Sequence, residues 1–240
     1  CSELNCKGTF FIVGRVAMSA PQLVREIATQ GHEIAYHSHN HVSLTKEEPA
    51  RFKRETIVDK DGIEQLIGKP VLGFRAPRFS LTPESVWILD VLKRVGFTYS
   101  SSIMPTNLSL FGFKNVPTTP FVWENGLIEL PLPVAKLGPL RVPFLGGIYL
   151  YALPSTLSNI WLKQASNTDL LWTYTHPYDF DREESFKPMP NTPYWVSMVL
   201  WQSRRYAEKK LRHVLALGTG STLAERIAAS DFKPVPYNRL

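Results

Sequence analysis

The sequence predicts a parallel α/β protein, and three observations carry that expectation. Apolar runs of strand length alternate with amphipathic segments of helix length along the whole chain. The polar stretches "HSHNH", "RAPRF" and "THPYDFD" each follow such a run, so chemistry-bearing side chains collect where strands end. In both parallel architectures, closed barrel or open sheet, that carboxyl edge carries the functional site. Third, no internal repeat and no linker divides the 240 residues, a length suited to one domain spanning 1–240.

The elements follow in order. "CKGTFFIVG" is a short apolar run with two aromatics and reads as a buried strand. "SAPQLVREIATQGH" is a helix, with Ser19 as its cap, Pro21 in its first turn and Gly31 as its stop. "EIAYHSHNH" is a strand running into a loop. The next helix, "TKEEPARFKRETIVDKDGIEQLIG", opens on a capping box of Thr45 with Glu48. "KPVLGFRAPRF" is a strand ending in a proline-bearing loop, and "TPESVWILDVLKRVG" a helix capped by Thr82 and stopped at Gly96. "FTYSSSI", "GLIELPLP" and "LLWTYTH" are strands. A long helix is expected from Thr192 to about Gly218, and a short one in "TLAERIAAS".

Composition narrows the function classes. Hydrophobic residues make up 44% and charged residues 20%, enough to bury a full core. The net charge is +6, but the positive residues are dispersed, with one cluster at "SRRYAEKKLRH" on a helix. A solvated helix face explains that cluster better than an anionic partner, and no nucleic-acid partner is expected. The two cysteines, Cys1 and Cys6, cannot build a disulfide framework or a four-cysteine metal site. The uncharged run from 142 to 162 contains Pro143, Gly146, Gly147 and Pro154, so it reads as a strand and loop entering a helix, not as a transmembrane segment.

Three of the six histidines fall within His37-Ser38-His39-Asn40-His41. On a helical turn His37 and His41 would share a face, and neutral imidazoles suit zinc; on an extended strand all three would point to one side. A metal site and a set of surface or capping groups both fit. Arg75 follows an apolar run, where an arginine is rarely buried without a carboxylate or phosphate; a rim ion pair is the alternative. His176 closes the apolar strand "LLWTYT", as a catalyst or as a hydrogen-bonded structural residue.

Taken together, these stretches resemble the polysaccharide deacetylases of carbohydrate esterase family four, the nodulation-protein-B homology domain. "GHEIAYHSHNH" is similar to the family's second motif, on His37, Ser38 and His41, and "RAPRF" to its third, on Arg75, Pro77 and Phe79. "YTH" is similar to its fifth, on Tyr174 and His176. The later stretches "GLIELPLP", "GGIYLYALP", "THPYDFD" and "RRYAEKKLRHVL" resemble a bacterial subgroup associated with exopolysaccharide or cell-envelope glycans. The resemblance implies a deformed (β/α) barrel of the glycoside hydrolase/deacetylase type and removal of N-acetyl groups from hexosamine residues of a polysaccharide or oligosaccharide. It implies a divalent metal, zinc first, on His37 and His41. It makes His176 the general acid and Arg75 the group that holds the base ionised. Pro77, Phe79 and Tyr174 would line the substrate, with the Phe79 N–H turned toward an oxyanion. A non-catalytic glycan-binding protein on the same fold and an O-acetyl esterase are the competing functions.

Two departures from the family pattern stand out. The family's first motif is a strand ending in paired aspartates, a metal ligand and a base, and it precedes a strand like "KGTFF". The expectation is therefore that the chain lacks that first strand and that both acids lie upstream of residue 1. Asp179 and Asp181 are placed by the resemblance in a loop beyond His176, with no part in the site. The second departure is Ser100, where the subgroup carries an aspartate that orients the acid histidine.

Overall fold

Four parallel strands set up the molecule: β1 (Thr9–Ile12), β2 (Glu33–Tyr36), β3 (Gly73–Phe74) and β4 (Tyr99–Ser100). The sheet continues through β5 (Phe121–Trp123) and β6 (Ile128–Glu129), which pair with each other antiparallel, and the order is β1-β2-β3-β4-β6-β5-β9, with β9 at Val235–Tyr237. A separate hairpin joins β7 (Val134–Leu137) to β8 (Leu140–Pro143). This computed structural model describes residues 1–106, 112–165, 170–181, 183–189, 193–218, 220–229 and 235–237.

Helices fill the crossovers. α1 (Gly14–Ser19) and α2 (Pro21–Thr29) link β1 to β2, α3 (Pro49–Ile67) links β2 to β3, and α4 (Trp87–Val95) links β3 to β4. The apolar faces of α2, α3 and α4 meet the sheet in one core that includes Val24, Ile34, Tyr36, Phe52, Phe74 and Leu92. Each such side chain contributes about 1.5–3 kcal/mol when fully buried. The parallel α/β expectation holds, and the crossovers put the ends of β2, β3 and β4 on one edge.

Several local expectations are corrected. Ser19 ends α1 and does not cap α2; Ala20 occupies that position, with Pro21 as the first helical residue. Thr45 lies in a separate 3-10 turn at Leu44–Lys46, and α3 is capped by Glu48, whose carboxylate accepts from Ala50 N and Arg51 N at 2.9 and 2.7 Å. A glutamate caps here because Pro49 leaves the next two N–H groups within its reach. Thr82 likewise opens a separate 3-10 turn at Pro83–Ser85, in a capping box with Ser85, and Val86 is the cap of α4; Gly96 ends α4 at φ 95°, where a side chain would be strained.

The second half is less regular. Apart from Gly146↔Tyr174, a single bridge, "LLWTYTH" makes no ladder among the described residues, so it is extended chain and not a strand. α5 (Gly147–Ala152) and α6 (Ser155–Ala165) follow the hairpin. The expected long helix breaks into α7 (Tyr194–Ser203), a 3-10 turn at Arg204–Tyr206 and α8 (Ala207–Leu215), while its expected start, Thr192, lies outside the described residues. α9 (Leu223–Ala229) packs back on β1 and β2, where Leu223 N donates to Thr9 Oγ1 at 2.8 Å and Ala224 N to Glu33 Oε2 at 3.1 Å. No described helix is long and apolar enough to cross a membrane.

Glu129 ties the two halves of the sheet together. It is fully buried, and its carboxyl accepts from Ser102 N at 2.7 Å, Ile103 N at 3.1 Å and Trp123 Nε1 at 3.3 Å. Burial raises its pKa despite these donors. Glu129→Ala strands three buried N–H groups, each costing about 1–3 kcal/mol when unsatisfied. Urea denaturation should therefore show a loss of about 3 kcal/mol or more. A loss under about 0.5 kcal/mol, the range of an ordinary surface change, would show that the network does not hold the β4–β6 junction.

Candidate functional site

The site is built on a turn that only partly resembles a helix. β2 ends at Tyr36, and the next residues reverse direction through left-handed backbone at Ser38 (φ 62°) and His41 (φ 57°). Ser38 is buried and its Oγ accepts the His41 N–H at 3.1 Å, closing the turn. The result brings the His37 and His41 rings edge to face with centroids 4.9 Å apart. His39 turns the other way. Its Nδ1 meets the buried Asp59 carboxylate of α3 at 2.9 Å, and Tyr36 Oη donates to the same oxygen at 2.8 Å. Burial first, then the Asp59 charge, holds the Tyr36 phenol well above its usual range.

The protonation of His37 follows from its partner. Its Nδ1 lies 2.7 Å from the Arg75 carbonyl oxygen, which can only accept, so Nδ1 carries the proton and Nε2 keeps a lone pair. Burial pushes its pKa down to about 3, with the charges of His41, Arg75 and His176 acting in the same direction. His41 is lowered by partial burial, then by the charges of Arg78 and His176. Both imidazoles are neutral at physiological pH, the form that binds metal. Among the described residues, no third histidine, cysteine or carboxylate joins them in a metal-holding group.

Arg75 is buried, with Nε donating to Ser101 O at 3.2 Å and Nη2 to Ser101 Oγ at 3.0 Å. Its guanidinium carbon lies 3.9 Å from the Phe11 ring centroid and 4.3 Å from that of Trp172, with Phe79 and Tyr174 further out. Among the described residues no carboxylate forms an ion pair with it, and burial brings its pKa down to about 10. Pro77 and Phe79 form a buried 3-10 turn, with left-handed backbone at Arg78 (φ 58°) and Phe79 (φ 51°). The Phe79 N–H donates to Ala76 O at 3.1 Å, so it is spent within the turn and does not face an oxyanion. Tyr174 stands edge-on to Phe79 at 5.2 Å and to His176 at 5.5 Å. A Cβ on Gly146 would meet the Tyr174 ring at 1.9 Å, so only glycine permits this approach.

His176 faces the histidine pair closely enough for its charge to lower both. Asp179 corrects the sequence reading. It is buried, and its Oδ2 accepts the His176 N–H at 2.8 Å and lies 3.4 Å from Nδ1 of the same residue. Tyr151 Oη donates to the other oxygen at 2.6 Å. Ser100, meanwhile, donates to Ser102 Oγ at 2.7 Å. The signal was present in "HPYD": proline at a first helical position and an aspartate three residues after the cap read as a reciprocal capping box. Asp59 had no such signal, because its partner is 20 residues away on another element. Asp181 Oδ1 accepts from Glu183 N and Glu184 N at 2.9 and 3.1 Å and so shapes its own loop.

The parallel sheet thus gathers paired neutral histidines, a caged arginine and an acid-supported histidine at its carboxyl edge. The comparisons with known proteins name the family. Residues 2–100 match the family model for polysaccharide deacetylase, and residues 101–225 match that for a domain of unknown function, DUF3473. The chain belongs to the DUF3473 family, whose model covers more than half of it, and its residues 2–100 are similar to the polysaccharide deacetylases. It is 31% identical over 84 residues to a chitooligosaccharide deacetylase of Bradyrhizobium sp. (strain ANU 289), which covers 35% of this chain and 36% of that protein. It is 32% identical over 89 residues to a peptidoglycan-N-acetylglucosamine deacetylase of Bacillus cereus, covering 37% and 30%. The chain thus spans about a third of the length of these curated relatives. Among solved structures, a protein of Mycobacterium smegmatis described as a polysaccharide deacetylase superposes over 100% of this chain and 78% of its own, with TM-score 0.56 and 20% identity. A family-four pseudoenzyme of Bacillus anthracis superposes over 100% and 62%, with TM-score 0.50 and 12% identity. These two likenesses speak for the fold.

Asp179 gives the site a measurable pH signature. Burial alone would raise its pKa, but the His176 and Tyr151 hydrogen bonds and the His176 charge outweigh it and leave the carboxyl below its ordinary 3.8. Its ionised form therefore stabilises the fold at neutral pH, and that contribution fades as pH falls below 3.8 toward the lowered folded value. Asp179→Asn should unfold more easily than the parent at neutral pH, with the gap closing in acid. A constant gap across the titration, followed by thermal melting, would show that the charge of Asp179 is not what stabilises this turn.

Proposed function

We propose that this chain acts as a metal-dependent hydrolase that removes N-acetyl groups from hexosamine residues of a cell-envelope or exopolysaccharide glycan. The observation that carries this reading is the His37–Arg75 bond, which presents the bare Nε2 of His37 beside the neutral ring of His41. The family assignment and the deacetylase relatives support it. Carbohydrate esterases of this family are generally metal-dependent. We read residues 1–240 as one domain, since one sheet takes strands from both family segments.

His37 and His41 suit a divalent ion as two neutral nitrogen donors, and zinc is the first choice for such a pair. An ion held there supplies Lewis-acid polarisation of a carbonyl and activation of water at neutral pH. The protein's own residues do the rest. His176, supported at Nδ1 by Asp179, keeps Nε2 for protonating the departing amine nitrogen. Arg75 brings a fixed positive charge, held by two rings and Ser101, to the position where a carboxylate base would need to stay ionised. Pro77, Phe79 and Tyr174 form the apolar wall against which the acetamide methyl would rest.

One observation favours a second reading, a non-catalytic glycan-binding protein. Among the described residues no carboxylate stands with His37 and His41 as ligand or base. Asp179 has both oxygens engaged, and Asp181 is committed to its loop. An O-acetyl esterase would use the same groups on an easier leaving group.

Two measurements test these assignments. His37→Ala and His41→Ala should each lose bound zinc by elemental analysis, while His39→Ala should keep it and lose thermal stability through its Asp59 contact. Equal retention in all three would remove the ligand assignment. With zinc added, acetate release from N-acetylglucosamine oligomers should be slowed about 10²–10⁴-fold by His176→Ala. An unchanged rate in that variant would remove the acid assignment, and no release from the parent protein would favour the binding protein.

A further inference from the structure

The DUF3473 half contains a cavity that shares only Asp179 with the site described above. Its volume is about 430 Å³, within the range of small-molecule sites. Phe180, Asp181, Trp201, Gln202, Arg205 and Glu208 line it, and Asp179 forms the wall it shares with the His176 turn. We propose that this cavity is a distal subsite for one neutral sugar residue of the same glycan whose acetyl group is presented to His176. The proposal rests on the deacetylase reading and adds where the polymer runs.

Three observations carry it. Trp201 Nε1 is buried and has no hydrogen-bond partner among the described residues, a state that native structures rarely leave unexplained. The ring itself is held, by Phe186 edge-on at 5.6 Å and by the Arg204 guanidinium at 5.7 Å. The ring that carries this unpartnered N–H is therefore fixed where Trp201 lines the cavity. Second, the neighbouring Gln202 side chain is exposed and makes no hydrogen bond to another described residue, so it offers both a donor and an acceptor.

Third, the charges balance. Arg204 is spent on Glu184 at 2.5 Å and on Tyr178 O at 2.8 Å, and Asp179 on His176 and Tyr151. Glu208 pairs with Arg212 at 3.0 Å, and the Arg205 guanidinium lies 4.8 Å from the Tyr206 ring centroid. A site with aromatic walls, unspent amide and indole groups and no surplus of either sign matches a neutral pyranose, with its apolar C–H face and its hydroxyls. An anionic sugar would meet Asp181 and Glu208.

Chain geometry connects the two places. His176 and Phe180 are four residues apart, so they are separated by at most about 14 Å. Between them Tyr178 is half exposed and stacks on His176, centroids 4.7 Å apart and planes at 9°. A glycan with one residue at His176 would cross the Tyr178 ring and reach the cavity within a short oligosaccharide.

The experiment is a titration of the ¹⁵N-labelled protein with N-acetylglucosamine and with its β-1,4-linked hexasaccharide, following the tryptophan indole resonances. Trp201→Phe assigns the signal and keeps the ring. The hexasaccharide, and not the monosaccharide, should move the Trp201 indole. Gln202→Ala and Trp201→Phe should each weaken hexasaccharide binding about five- to tenfold, the effect of one lost hydrogen bond. Lys209→Ala, outside the cavity, should bind as the parent does. A silent indole during saturable hexasaccharide binding overturns the subsite, as does parental affinity in both variants. Failure of acetate release with the indole shift intact overturns only the catalytic reading.

Discussion

The burial of Arg75 governs this structure. A guanidinium taken out of water is costly unless hydrogen bonds and aromatic faces replace its hydration. Here the replacements come from every part of the chain: Phe11 from β1, Ser101 from the end of β4 and Trp172 from the extended segment of the second half. The backbone of the same residue does as much. Its N–H donates to Tyr36 O at 2.9 Å and its carbonyl accepts from His37 at 2.7 Å. One residue thus sets the register of β2 against β3, the tautomer of a histidine and the approach of the second half to the first.

That dependence explains what the sequence made legible. His37, His41, Arg75 and His176 were readable because each follows an apolar run, and a parallel sheet brings such positions to one edge. Their grouping needed only topology. What was not legible depends on contacts between distant elements. His39 reads like its neighbours in "HSHNH", yet Asp59 on α3 draws it away from them. The Phe79 N–H looked available by resemblance, and the left-handed turn of Arg78 and Phe79 spends it on Ala76. Ser100 stands where the subgroup's orienting aspartate would be, and Asp179 supports His176 from three residues downstream instead.

The strands themselves show the same division. β1 and β2 were legible as runs of four residues, while β3, β4 and β6 are pairs of residues whose pairing is set by the core beneath them. The long helix expected after Thr192 failed for a related reason. Periodicity runs through Ser203–Tyr206, but Arg204 must reach both Glu184 and the Tyr178 carbonyl, and a tighter turn there lets it do so. Gly146 and Gly147 looked like loop punctuation in sequence and are instead the places where the backbone lies against the Tyr174 ring.

The left-handed backbone at Ser38, His41, Arg78 and Phe79 has its own consequence. A non-glycine residue in that region costs about 1–2 kcal/mol. Four of them within the two loops that frame the site amount to a spring already wound when the chain has folded. The surrounding sheet bears that tension, so an arriving ligand does not. The receptor is stiff in advance, and its selectivity is that of a mould: shapes that fit lose little entropy on entry, and shapes that do not are turned away because the loops have no slack to follow them.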